Sequence, residues 1–325
     1  MTMRSRFIII ATVALSGTAV SPVYADEGGI SFWLPGQYGS FAATSTTPGW
    51  AWTTVYYHAS LAAGADQQFP RGGQINAGLD ANANLVLFGP AYTFADAVLD
   101  GQLTLSMMAV GGRNEATIDA VLTGPNGNTL SSSATDSLTA FGDLYPTATL
   151  KWNSGVHNYM TYATGDIPVG AYEPDRLANL GIGHSAIDVG GGYTYFNPAT
   201  GREASAVLGF TYNLENPDTD YQSGVDMHID WGAAQFLNEQ FFVGAVGYYY
   251  QQITGDSGSG AILGDFKSRV AGIGPQVGYL FPVGDKMQGA LNVKAYWEFA
   301  ARNRPEGWNF WAGFALSPTA PKKTE

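Results

Sequence analysis

The sequence predicts an all-β fold, a transmembrane antiparallel up-and-down β-barrel of about twelve strands. Three observations predict it. Apolar and polar residues alternate in segments of about ten residues, the length that a tilted membrane strand needs. Short turns and longer loops alternate between those segments. Charged residues make up only 13% of the chain, against about 25% in ordinary soluble domains, while aromatics make up another 13% and 42 residues are Gly. After Ala25 no apolar run approaches the length of a spanning helix, so a membrane structure must be a closed barrel, which satisfies every backbone group in lipid.

Taken in chain order, residues 1–25 have the features of a secretory signal peptide. Arg4 and Arg6 precede the short apolar run FIIIATVAL, and Val23-Tyr24-Ala25 is a small-residue cleavage site. Without Arg4 and Arg6, 13 basic residues face 27 acidic ones, a surface unsuited to nucleic acid. The chain has no Cys, so an oxidising compartment adds no disulfides to the fold.

Residues 26–48, with Phe32, Trp33, Leu34, Tyr38 and Phe41 among Pro and Gly, do not alternate. A disordered leader would be aromatic-poor. The expectation is a segment folded into the lumen as a plug, its aromatic faces able to stack on planar apolar solutes.

The barrel is expected over 49–317. Its strands are read near 50–60, 76–94, 102–112, 141–152, 156–165, 185–197, 203–214, 219–236, 241–253, 265–281, 286–301 and 308–316, and a tail follows at 318–325. NSG at 153–155, PATG at 198–201, LNEQ at 237–240 and PVGD at 282–285 are tight turns; 113–140, 166–184 and 254–264 are the longer loops. Long loops at one end and short turns at the other, with an even strand count, put both termini on the periplasmic side. A soluble secreted β-sandwich would also alternate. Two features weigh against it: ionisable residues in mid-strand, and aromatic clusters such as Tyr248–Tyr250 or Trp308 and Trp311, read as interfacial girdles.

FWLPGQYGSFAA with PGW, FGDLYPTATLKW, IPVGAY, TDYQSGVDMHIDWG, GYYYQQITGDSGSG and RVAGIGPQVGY occur in this order along the chain. Together they resemble the outer-membrane barrels of the meta-pathway phenol-degradation family. The resemblance implies a barrel in the Gram-negative outer membrane that takes up small hydrophobic or aromatic compounds, placed in outer-membrane lipid by the barrel-assembly machinery. It brings no catalytic residues and no cofactor. Many outer-membrane strands end on an aromatic; here SPTAPKKTE follows Phe314 and Leu316.

The candidate chemistry lies on polar strand faces. In YQSGVDMHIDWG, Val225, Met227, Ile229 and Trp231 would face lipid, and Asp226, His228 and Asp230 a wet lumen. Asp80, Asn82 and Asn84, together with Arg269, Lys294 and Glu298, are assigned to the same lumen. These groups either brace the barrel as an ion-pair network or form a polar track that orients a solute. A hydrolase built on Ser223 and His228 would need a bulge to bring the two onto one face. A metal held by Asp226, His228 and Asp230 would meet ligands splayed about 7 Å apart.

Overall fold

A computed structural model describes residues 32–68, 74–123, 128–261 and 264–319. The signal-peptide segment, the first residues of the aromatic segment and the end of the C-terminal tail lie outside these. Twelve antiparallel strands follow in chain order: β1 (Gly49–Gln68), β2 (Gln74–Val98), β3 (Gly101–Thr123), β4 (Thr129–Ser154), β5 (His157–Gly165), β6 (Ala186–Asn197), β7 (Arg202–Asn213), β8 (Asp226–Phe236), β9 (Phe241–Gln252), β10 (Arg269–Val283), β11 (Met287–Arg302) and β12 (Glu306–Pro318). Each pairs with its sequence neighbour, and β12 closes the sheet on β1. No helix among the described residues is long and apolar enough to cross a membrane; crossing falls to the strands.

The turns explain the up-and-down order. Gly155 and Gly201 take positive φ where β4 turns into β5 and β6 into β7. The β2–β3 turn has no glycine: Leu99 and Asp100 both take positive φ, as a two-residue hairpin needs. These three turns, with the short β8–β9 and β10–β11 turns, lie at the end where β1 starts and β12 finishes. We call that end periplasmic, and the end with the longer connections 166–185, 214–225 and 253–268 the cell-surface end.

Several boundaries differ from the sequence expectation, and β1, expected to end near 60, runs to Gln68. The loop expected at 113–140 is strand over most of its length, so β3 has 23 residues and β4 has 26. A bilayer needs about ten, so β1–β4 extend beyond it. There both faces meet water, and the apolar alternation that marks a half-buried strand fades. Conversely 219–225 and 265–268 are loop, not strand; Asp220 takes positive φ there.

Alternation sets the two faces. In β7 every second residue from Glu203 to Asn213 is buried, while Leu208, Phe210 and Tyr212 are exposed to lipid. Exposed Trp50, Tyr159, Tyr193 and Tyr279 mark the periplasmic end of the outer face, and Tyr212, Trp297, Phe299 and Trp308 the other end, as girdles do. The girdle expectation is corrected in part: Tyr248, Tyr250 and Trp311 point inward and are buried. They join Trp33, Tyr57, Tyr162 and Tyr296 in an aromatic core inside the barrel.

Candidate functional site

The site is the lumen, where residues 32–48 meet the inner wall. The wall grips this segment mainly through its backbone. Asp230 of β8 accepts hydrogen bonds from the amides of Gly36 at 2.9 Å and Tyr38 at 3.4 Å. From β11, Lys294 Nζ donates to the carbonyls of Gly36 at 2.6 Å, Tyr38 at 3.2 Å and Gln37 at 3.3 Å. A carboxylate thus takes the N–H groups of one short turn and an ammonium takes its C=O groups, the strong charge-assisted form of each bond. Gly36 has φ +89°, and a Cβ there would stand 2.9 Å from the Tyr296 ring, so glycine is required on both counts.

Further along, the Phe41 amide donates to Glu203 Oε1 at 2.9 Å and Ser205 Oγ at 3.0 Å, and the Ala43 amide to Thr194 Oγ1 at 3.0 Å. Lys151 Nζ donates to the Thr44 carbonyl at 2.9 Å, and the Thr46 amide to Gln102 at 2.9 Å. Gly232 permits the closest approach, since a Cβ there would meet Ser40 N at 2.5 Å. The Phe41 ring packs edge-on against Phe196, Phe236 and Phe242.

Deeper in the wall, Asp188 of β6 gathers three donors: Tyr162 Oη at 2.6 Å, Thr211 Oγ1 at 2.7 Å and His228 Nε2 at 2.9 Å. The Trp33 indole stacks on His228, with centroids 3.7 Å apart and planes 14° from parallel. Gly209 makes room for this cluster, because a Cβ there would lie 2.2 Å from Tyr162 Oη. A cavity of about 100 Å³ remains between the segment and β3–β5, bounded by Tyr38, Ala42, Thr46, Thr104, Lys151 and Met160.

The structure separates the residues that the sequence grouped. Asp226, His228 and Asp230 share the inner face of β8 and are buried, but each has its own task. Asp226 accepts from Asn213 at 2.9 Å, His228 bonds Asp188, and Asp230 holds the segment. Lys294 and Glu298 also face inward, though Glu298 bonds Tyr248 Oη at 2.7 Å and not the lysine. Among the described residues no group of three or more His, Asp or Glu side chains is placed to hold a metal ion.

Asp80, Asn82 and Asn84 are corrected: they lie on the outer face of β2. Leu85 is buried on the inner face opposite Tyr57, and Asn84 lies outside with Tyr56 and His58, both of which hydrogen-bond it at 2.9 Å. This part of β2 runs toward the extension where the outer face meets water, so the apolar face packs inward there. Arg269 is corrected too. It alternates with the buried Val270 and stands on the outer face of β10. Of the residues the sequence did not single out, Asp188 carried the same signal as Asp226, a carboxylate between the apolar Ile187 and Val189. The run Gly190–Gly192 blurred the alternation around it.

A closed barrel with an apolar outer band and a polar, aromatic inner wall is a membrane-spanning β-barrel of the outer-membrane type. The profile of the family described as "MetA-pathway of phenol degradation" matches residues 64–314, and the chain belongs to that family. In fold it is similar to the crystal structure of an outer membrane channel from Pseudomonas putida F1, with a TM-score of 0.65 and 14% identity over 86% of this chain and 98% of that one. Fainter likenesses are a Pseudomonas aeruginosa FadL homologue (TM-score 0.39, 8% identity, 83% and 90% covered) and the CymD monoaromatic hydrocarbon channel (0.37, 6%, 86% and 90%). No curated protein matches the chain by sequence.

Proposed function

We propose that the protein is an outer-membrane channel that admits small hydrophobic or aromatic compounds by passive diffusion, with residues 32–48 as its plug. The observation that carries the proposal is the grip of Asp230 and Lys294 on the backbone of Gly36–Tyr38, which supports the reading of this aromatic segment as a plug. The cavity of about 100 Å³ beside the segment is smaller than the roughly 150 Å³ that holds a benzene. Passage therefore requires the segment to shift. The solute would then meet Trp33, Tyr38 and Phe41 together with Tyr162 and Met160. Membership of a phenol-degradation family supports this solute class, and the likeness in fold to an outer membrane channel supports passage through the barrel. Residues 1–25 would direct export, and the barrel-assembly machinery would insert the chain into outer-membrane lipid.

The density of hydrogen bonds between segment and wall favours a second reading, a barrel that only braces the envelope. A surface hydrolase gains no support from His228, which is buried in the wall and whose ring is covered by Trp33. Flux of a size series of aromatic acids and matched sugars into liposomes holding the purified protein tests the channel. Faster entry of the aromatics is expected. No entry of any solute would leave the structural reading.

A further inference from the structure

The outer face carries a cluster of cations away from the lumen. Arg269 and Arg302 are directly paired across β10 and β11 at the cell-surface end, and Arg269 also pairs with Gln251 of β9. Arg302 reaches this face because the register shifts: Arg269 opposes Arg302, while Ala271 opposes Phe299. The extra residue lies around Ala300, whose φ is +58°. It moves the even-numbered Arg302 out of phase with the inward Lys294 and Tyr296.

Like charges directly opposite each other destabilise a strand pair. Here Arg269 donates only to the Ala300 carbonyl, at 3.3 Å, and among the described residues neither guanidinium has a carboxylate partner. Lys267 lies beside them, with its ammonium 3.8 Å from Asp265. These residues line a cavity of about 260 Å³ with Gln251 and Ser268. Ser268 is 1% exposed, and its hydroxyl has no hydrogen-bond partner among the described residues. Three cations against one carboxylate stand out in a chain of net charge −12.

We propose that this cavity binds a phosphate of an anionic lipid headgroup in the outer leaflet. Paired guanidinium forks suit phosphate oxygens, and the Lys267 ammonium adds a third positive charge beside them. The surroundings favour a lipid as the source. Toward the membrane middle, the same outer face presents Phe299, Trp297 and Ile273, which are 50%, 60% and 48% exposed. An amphiphile seated with its phosphate on the arginines would lay its chains along these side chains.

The test is native mass spectrometry of the full barrel with three probes: bisphosphorylated lipid A, the same lipid without phosphates, and inorganic phosphate. The wild-type protein should retain the phosphorylated lipid and release the dephosphorylated one. Retention should fall about tenfold or more in R269Q/R302Q and stay unchanged in R113Q, which removes an arginine from the β3 extension. A heat-modifiable gel shift checks that each variant is folded, and the comparison of lipids on wild type needs no variant. Equal retention of both lipid forms, or equal retention by R269Q/R302Q, would overturn the site. Occupancy by inorganic phosphate that displaces the lipid phosphate at equal concentration would overturn the lipid as its source.

Discussion

Trp33 lies flat on His228, centroids 3.7 Å apart, and so ties the aromatic N-terminal segment to the most polar part of the wall. The contact connects two levels of the molecule. His228 is held by Asp188, which also binds Tyr162 and Thr211, so one carboxylate fixes three strands behind the indole. The segment therefore rests on a preformed surface. Removing the indole should free the segment without unfolding the barrel. A stacked aromatic pair is worth about 0.5–1.5 kcal/mol beyond its buried area. W33A should raise aromatic-acid flux into liposomes several-fold, with the heat-modifiable gel shift unchanged.

The Asp230–Lys294 clamp acts on backbone, so its loss should appear as amide exposure. K294M removes the donor that three carbonyls share, and D230N removes the charge that two amides share. Each should cost about 1.5–3 kcal/mol of segment docking, the range for bonds to charged groups. Hydrogen exchange at Gly36–Tyr38 should quicken in either variant, while exchange in β8 stays slow. Slow exchange at Gly36–Tyr38 in both variants would count against the clamp.

Gly209 leaves space that the Asp188 cluster fills. A methyl group there would lie 2.4 Å from His228 Nε2 as well as against Tyr162. G209A should destabilise the barrel by about 1–3 kcal/mol, the usual range for overpacking, as measured by urea unfolding in lipid vesicles. Ala206 is outward and exposed on this strand, so A206V, which also adds bulk, should be milder.

The two faces of the wall predict opposite responses to charge. Leu208 faces lipid near the middle of β7, so L208R should cost about 2–4 kcal/mol. Asn84 stands on the outer face, toward the water-facing part of β2, and N84D should change stability by less than about 0.5 kcal/mol. Vesicle refolding titrations would show both. A large effect of N84D on flux would return that residue to the lumen.

The pattern that was legible in the sequence is the pattern that lipid imposes. Strand number, antiparallel order and the inward turn of Asp226, His228, Asp230, Lys294 and Glu298 follow from period-two alternation where one face meets hydrocarbon. The same rule failed where the hydrocarbon ends. Asp80, Asn82 and Asn84 sit at and above the interface, so polarity no longer marks the lumen side. At Arg302 a bulge shifts the phase by one residue, and nothing in WEFAARNR announces it. The inward turn of Tyr248, Tyr250 and Trp311 was hidden for another reason. Aromatics suit both a girdle and a plugged lumen, and only the pairing register tells them apart. The partner of Asp230 was out of reach altogether, since it is the backbone of a segment that lies more than 190 positions away.

The most direct measurement uses the absence of native Cys. A Cβ at Gly39 would lie 3.5 Å from Val246 Cγ1 on the inner wall of β9, so G39C/V246C offers a disulfide between segment and barrel. Aromatic-acid flux into liposomes would be compared before and after reduction of this variant. The plugged-channel proposal predicts that oxidation abolishes flux and that reduction restores it to the wild-type rate. Equal flux in the two states, with the disulfide confirmed by mass, would show that solutes pass without movement of the segment.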